Sequence, residues 1–262
     1  MRSQSKRQVL SGMRFCRNEL NEVSIMKKPV IGIPSKIQNR QEGDLWHRQE
    51  IADELRYLIV RHGGIAIMLM PSEETMDFNE SDLGDDKILT AEQIEDLHAQ
   101  VDLCNGILLQ GGDYSNAYEV EIARYALEKD IPLMGFCAGF NNILRALGSN
   151  IREDLTKSHS HYNMVYRHPI RIEKGTRLYD LIGAEEYDVN SLHTMVAEKE
   201  RVEPYARISA CSMDGLVECF EPEGKKFVIA IKWHPELMSD AYVDRLFEEF
   251  VNVCRQEGKE NQ

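Results

Sequence analysis

The segment Ile131-Pro-Leu-Met-Gly-Phe-Cys-Ala-Gly-Phe-Asn141 constrains this chain more than any other, because it reads as a buried strand that turns sharply through one cysteine into a helix. Gly135 and Gly139 stand two residues to either side of Cys137 and remove the Cβ atoms that would obstruct so tight a turn. A thiol at the first turn of a helix meets backbone N–H groups without intrahelical acceptors and the positive end of the dipole, both of which favour thiolate. The same residues also suit a buried structural cysteine. Chemistry at this turn needs a partner.

A partner stands in Phe227-Val-Ile-Ala-Ile-Lys-Trp-His-Pro-Glu236, where an apolar, β-branched run reads as a core strand that delivers His234 at its carboxyl end. Glu236 follows two residues later. A nucleophilic cysteine needs a base to take its proton and return it to the leaving group, and the imidazole needs a carboxylate to hold its tautomer. Cys137, His234 and Glu236 can fill those three roles. A third apolar strand, Gly106-Ile-Leu-Leu-Gln-Gly-Gly-Asp113, ends in a glycine pair. Backbone N–H groups at Gly111 or Gly112, with that of Ala138, could converge on a tetrahedral oxyanion. The plain alternatives are a surface turn at His-Pro-Glu and an ordinary glycine turn.

Alternation along the chain predicts a mostly parallel sheet covered by helices on both faces. Strands are expected at Val30 to Ile33, Ile65 to Met70, Gly106 to Leu109 and before Cys137. Helices are expected over 46–62 (Ile51, Leu55, Leu58, Ile59), 91–102, about 118–129, and from the elbow to Gly148, a usual C-terminal glycine. From about residue 164 the pattern becomes strands joined by short turns, at 164–172, 206–211 and 216–220, the mark of an antiparallel extension. A closing helix over 241–254 carries Val243, Leu246, Phe247, Phe250 and Val251 on one face. The acidic stretch 77–86 reads as a solvated loop.

With these segments in order, the chain resembles the class I glutamine amidotransferase-like superfamily, and within it the γ-glutamyl hydrolase branch (peptidase family C26 type, including γ-glutamyl-γ-aminobutyrate hydrolases). The resemblance covers roughly residues 28 to 255. It rests on the Gly-Gly-Asp loop, the Gly-Phe-Cys-Ala-Gly elbow, Val189-Asn-Ser-Leu-His193, Met213-Asp-Gly-Leu-Val-Glu218 and Trp233-His-Pro-Glu236. It implies a three-layer, flavodoxin-like α/β fold. It also implies a Cys137-His234-Glu236 triad that cleaves an amide at the γ-carboxyl of a glutamyl group through a thioester, and a cleft wall in which Asn190, Ser191 and His193 contact substrate. Where relatives often carry proline before the glycine pair, arginine or another large residue after the nucleophile and glutamine before Trp-His-Pro-Glu, this chain has Gln110, Ala138 and Lys232. The stretch from Asp113 to Glu121 is also shorter than in many relatives.

A formal charge of −13, from 44 acidic against 31 basic residues, argues against nucleic acid as a partner. No apolar run approaches the roughly 18 to 20 residues of a membrane span. Six cysteines at 16, 104, 137, 211, 219 and 254 lack C-x-x-C spacing and accompany no signal-like segment, which fits a reducing cytoplasm. If Asp214-Gly215 is a two-residue turn, Cys211 and Cys219 point to opposite faces, so no disulfide is expected between them. Residues 1–25, polar and arginine-containing, are expected to form a disordered leader ahead of a single catalytic domain over 26–258.

His159-Ser-His161 has the alternation of a metal pair, but no third ligand stands at a fitting spacing, so neither metal nor cofactor is expected. Tyr114 and Tyr162 could line the cleft. His47, His62 and His98 fall on presumed helices as surface residues, and Trp233 reads as core. The resulting expectation is a free-standing cysteine amidohydrolase acting on a small γ-glutamyl substrate, with a homodimer compatible. The alternatives are a glutaminase subunit that delivers ammonia to a partner synthetase and a non-catalytic ligand-binding relative.

Overall fold

A computed structural model describes residues 27–38, 45–46, 48–73, 87–112, 116–153 and 166–260. Its strands are β1 (Val30–Pro34), β2 (Lys36–Gln38), β3 (Arg48–Glu50), β4 (Ile65–Leu69), β5 (Gly106–Leu109), β6 (Leu133–Phe136), β7 (Arg152–Glu153), β8 (Arg167–Ile172), β9 (Glu186–Asn190), β10 (Met195–Val196), β11 (Arg207–Ser212), β12 (Val217–Glu221) and β13 (Val228–Ile231). The helices are α1 (Asp53–Arg61), α2 (Ala91–Asp102), α3 (Ala117–Glu128), α4 (Ala138–Ala146), α5 (Arg177–Ile182), α6 (Lys199–Val202) and α7 (Ala241–Glu260), with a 3-10 turn at Pro235–Leu237 before α7.

Nine strands form one sheet in the order β4-β1-β5-β6-β13-β12-β11-β8-β9. The pairs from β4 to β13 are parallel, and those from β13 to β9 are antiparallel. The strands that carry the candidate site, β5, β6 and β13, are buried at every position. Such continuous apolar runs are what a parallel strand covered on both faces requires. Two cores follow. One face packs α1, α5 and α7 through Leu55, Ile59, Leu178, Leu246, Phe247 and Phe250. The other packs α2, α3, α4 and α6 through Leu97, Val101, Ile122, Phe140, Ile143 and Val202. This is the expected three-layer α/β arrangement with its antiparallel extension.

Two local expectations are corrected. The helix anticipated over 46–62 begins only at Asp53, because Arg48–Glu50 pairs with Lys36–Gln38 as a small hairpin. Gln110 holds that geometry, accepting from the Ala52 N–H (2.9 Å) and donating to the carbonyls of Pro34 (2.7 Å) and Glu50 (3.2 Å). The turn between β11 and β12 has three residues rather than two. Gly215 adopts φ +92°, and the Ser212 N–H donates to the Leu216 carbonyl at 2.9 Å, the pattern of a turn closed by a left-handed glycine. Cys211 therefore pairs with Val217. The two thiols still face opposite cores and both are free. Residues 1–25, the loop 77–86, His47, Tyr114, His159, His161 and Tyr162 lie outside the described residues.

Candidate active site

Cys137 is the hinge between β6 and α4, and its backbone adopts φ 51°, ψ −102°, a left-side conformation that side-chain-bearing residues rarely occupy and that persists only when its surroundings dictate it. Those surroundings are visible. The Cys137 N–H donates to the Ile231 carbonyl of β13 at 2.9 Å. A Cβ on Gly135 would fall 2.8 Å from the Gly139 carbonyl carbon and oxygen, and one on Gly139 would fall 2.4 Å from the Leu109 carbonyl oxygen. The paired glycines thus let α4 lie directly on β5 and β6. Ala138 opens α4, so its N–H belongs to the first-turn donors that lack an intrahelical acceptor.

His234 follows β13 and faces the elbow. A Cβ on Gly111 would sit 2.4 Å from His234 Cε1 and 3.4 Å from Cys137 Cβ, so the glycine loop, the imidazole and the cysteine are in mutual contact. Glu236, on the 3-10 turn, binds His234 Nδ1 through Oε1 at 2.6 Å, with the two side chains 5% and 13% exposed. Burial alone would raise the Cys137 titration. Its hydrogen bond with His234 and the charges of His234 and Lys232 outweigh burial, Glu236 opposes weakly, and the net shift is downward. Burial would lower His234, but its hydrogen bonds to Cys137 and Glu236 reverse this and push it up to about 10. The arrangement favours thiolate beside imidazolium, with a carboxylate behind.

All three residues of the Asn190-Ser191-His193 group are buried. Asn190 ends β9 and spends its amide on the main chain of His234: Oδ1 accepts from the His234 N–H (2.8 Å) while Nδ2 donates to the His234 carbonyl (2.9 Å). His193 contacts the Met195 carbonyl through Nδ1 (3.1 Å) and turns Nε2 toward Glu218 at 3.8 Å. Trp233 is fully buried, its Nε1 donating to the Tyr242 hydroxyl at 2.8 Å, as a core residue should. His62 and His98 are half-buried rather than free surface residues, bonded to Asp244 and Glu121 respectively.

Two further residues, Glu119 and Lys36, escaped the sequence reading, and a third, Lys232, stood there only as a departure from relatives. Glu119, buried on α3, pairs with Lys36 at 2.5 Å and accepts from Asn142 (2.6 Å) and Asn116 (3.0 Å). Burial raises its titration against the lowering effect of those partners. Lys36 lies along the glycine loop, within 3.1 Å of where a Gly112 Cβ would be. Lys232, a charged residue inside an otherwise apolar strand end, is 1% exposed. A charged side chain at an apolar-periodic position is the signal that could have pointed to the burial of Lys232 and Glu119.

Comparison with known proteins places this geometry in context. The family model for peptidase C26 matches residues 29–236. The gamma-glutamyl-gamma-aminobutyrate hydrolase PuuD of Escherichia coli is 27% identical over 255 residues, covering 91% of this chain and 98% of that protein. A Mycobacterium tuberculosis protein assigned by name to the glutamine amidotransferases is 34% identical over 145 residues, covering 53% of this chain. This chain spans only 46% of that relative's length. Among solved structures, the glutaminase domain of Trypanosoma brucei CTPS with bound acivicin superposes with a TM-score of 0.62 at 15% identity, covering 87% of this chain and 94% of that one.

Proposed function

Given that the chain belongs to the peptidase C26 family and is a hydrolase acting on C–N bonds, we propose that it cleaves γ-glutamyl amide bonds with Cys137 as nucleophile, through a γ-glutamyl thioester. The observation that carries the reading is the contact of the strained Cys137 elbow with an imidazole whose Nδ1 is held by Glu236 at 2.6 Å. Cys137 Sγ attacks the γ-carbonyl carbon, and the C–N bond breaks as the His234 imidazolium gives its proton to the departing amine. Water then attacks the thioester with neutral His234 as base, releasing the γ-carboxylate and restoring the thiolate–imidazolium pair. Glu236 fixes the His234 tautomer. The N–H groups of Ala138 and of Gly111 or Gly112 hold the oxyanion. Asn190 fixes the main chain of His234, and Ser191 and His193 are the residues through which the same loop would reach a small γ-glutamyl substrate.

The test is mass-spectrometric turnover on a pool of glutamine, γ-glutamyl amines and γ-glutamyl peptides, comparing wild type with Cys137→Ala. Release of an amine by the wild type alone is the expected result, and full turnover by Cys137→Ala refutes the mechanism. The name of the M. tuberculosis relative favours a second reading, a glutaminase subunit that supplies ammonia to a synthetase. Ammonia from glutamine alone, appearing on addition of such a partner, would select it. A thiolate that alkylates normally without turnover on any amide would mark a ligand-binding protein.

A further inference from the structure

Lys232 lies beside the elbow through its main chain and beneath it through its side chain. The carbonyl of the preceding residue, Ile231, accepts from the Cys137 N–H, and the Lys232 N–H donates to the Glu218 carbonyl at 2.8 Å. The side chain crosses the Phe140 ring with Nζ 5.2 Å from its centroid, and Nζ donates to Asn141 Oδ1 at 2.5 Å. Asn141 stands one turn after Cys137 on α4, and its own N–H donates to the Cys137 carbonyl at 3.3 Å. The ammonium is therefore held under the same helical turn that presents the thiol. A cation this deeply buried against a neutral amide is costly unless an opposite charge stands nearby. The charged and titratable groups that act on it are Cys137 and Arg145 from the α4 side and Glu218 from β12, with His193 3.8 Å from Glu218, while His234 and Glu236 act on Cys137 from the segment after β13.

We propose that Lys232 is a positioning residue for the nucleophile: held by Asn141, its ammonium acts with the His234 imidazolium to keep Cys137 ionised. The protein thus carries two cations at its thiolate rather than one. Burial pulls the Lys232 titration down to about 8, against the opposing charges of Cys137 and Glu218, so its effect is fully present on the acid side of neutrality and fades as pH rises through that value. The proposal rests on Cys137 being the nucleophile, and its test reads the thiol directly, without substrate.

The experiment is the rate of iodoacetamide alkylation at Cys137 in the full chain, followed by peptide mass spectrometry from pH 5 to 10, in wild type, Lys232→Gln, Lys232→Met and Lys232→Arg. Glutamine keeps a donor toward Asn141 without the charge, and arginine keeps the charge. The expected result is a midpoint about one unit higher in Lys232→Gln and Lys232→Met, a tenfold slower reaction below it, with Lys232→Arg close to wild type and all rates converging at alkaline pH. Asn141→Ala, which frees the ammonium without removing it, should shift the midpoint the same way by a smaller amount and keeps the test alive if a Lys232 variant fails to fold. A low wild-type midpoint left unmoved in natively folded Lys232→Gln overturns this proposal alone. A wild-type midpoint at the ordinary thiol value of about 8.5 overturns the nucleophile assignment along with it.

Discussion

Substituting Gly139 by alanine tests the architecture of the elbow. The added Cβ would stand 2.4 Å from the Leu109 carbonyl oxygen, 2.8 Å from Leu109 Cβ and 2.9 Å from its carbonyl carbon. Normal contact would require α4 to retreat by about 1 Å, since β5 is hydrogen-bonded between β1 and β6 and cannot yield. Overpacking of a filled core costs ~1–3 kcal/mol, and a main-chain obstacle places this case at the upper end. Alanine recovers ~1 kcal/mol of helix propensity over glycine. The net loss is then about 2 kcal/mol, or roughly 4–8 °C in Tm for a chain of this size, read by calorimetry. Because the retreating helix carries Cys137 away from Gly111 and His234, turnover per folded molecule should fall by at least tenfold, in line with the roughly 10²-fold penalty that 1 Å misplacements can exact. Gly183→Ala is the control. That glycine has φ +78° with nothing within 4 Å of a Cβ, so alanine there should cost ~1 kcal/mol of backbone strain and leave turnover intact. A Gly139→Ala protein with wild-type melting and turnover would refute the close-approach argument.

Asn190→Ala removes both partners of the His234 main chain; a loss of about 2–4 kcal/mol is expected at ~1–2 kcal/mol per buried bond, measured by urea unfolding, with kcat falling more than KM changes. Glu236→Gln keeps an acceptor for His234 Nδ1 but withdraws the negative charge that helps hold the His234 titration up at about 10. His234 should then lose its proton at lower pH, and the alkaline limb of kcat/KM should move toward neutrality; an unmoved limb would remove Glu236 from its role. Gln110→Ala cuts the clasp joining β5 to Pro34, Glu50 and Ala52 and should cost about 2–3 kcal/mol, visible as earlier hydrogen exchange at the start of α1.

Much of this was legible in the sequence, because periodicity and glycine placement are local signals. The pattern over 91–102 and the strand 106–109 match α2 and β5 residue for residue, and the antiparallel change after residue 164 is found in β8, β11 and β12. The helix over 46–62 was overextended because Ile51 continues the apolar spacing, while the hydrogen bonds that pull Glu50 and Ala52 out of it come from Gln110, some sixty residues away. The Asp214-Gly215 pair signalled a turn but not its length, which the left-handed Gly215 decides. Cys137, His234 and Glu236 could be singled out together from residue type and order, and the fold brings them to one place. The Asn190 clamp could not, since it joins the last residue of an edge strand to the main chain of a distant one. Lys232 was noticed as a departure, and only burial and its hold on Asn141 gave the departure a meaning.

The strand that leads into His234 is the last of the sheet in sequence yet sits in its middle, between β6 and β12. During synthesis Cys137 is made nearly a hundred residues before His234 and Lys232, the two residues proposed to ionise it. A single domain generally folds as a unit, so on that proposal a chain not yet folded would carry Cys137 as an ordinary thiol with the low reactivity of one. On the proposed assignment, insertion of β13 would both close the sheet and activate Cys137, so that reactivity toward a mild alkylating agent would report on whether the chain has finished folding.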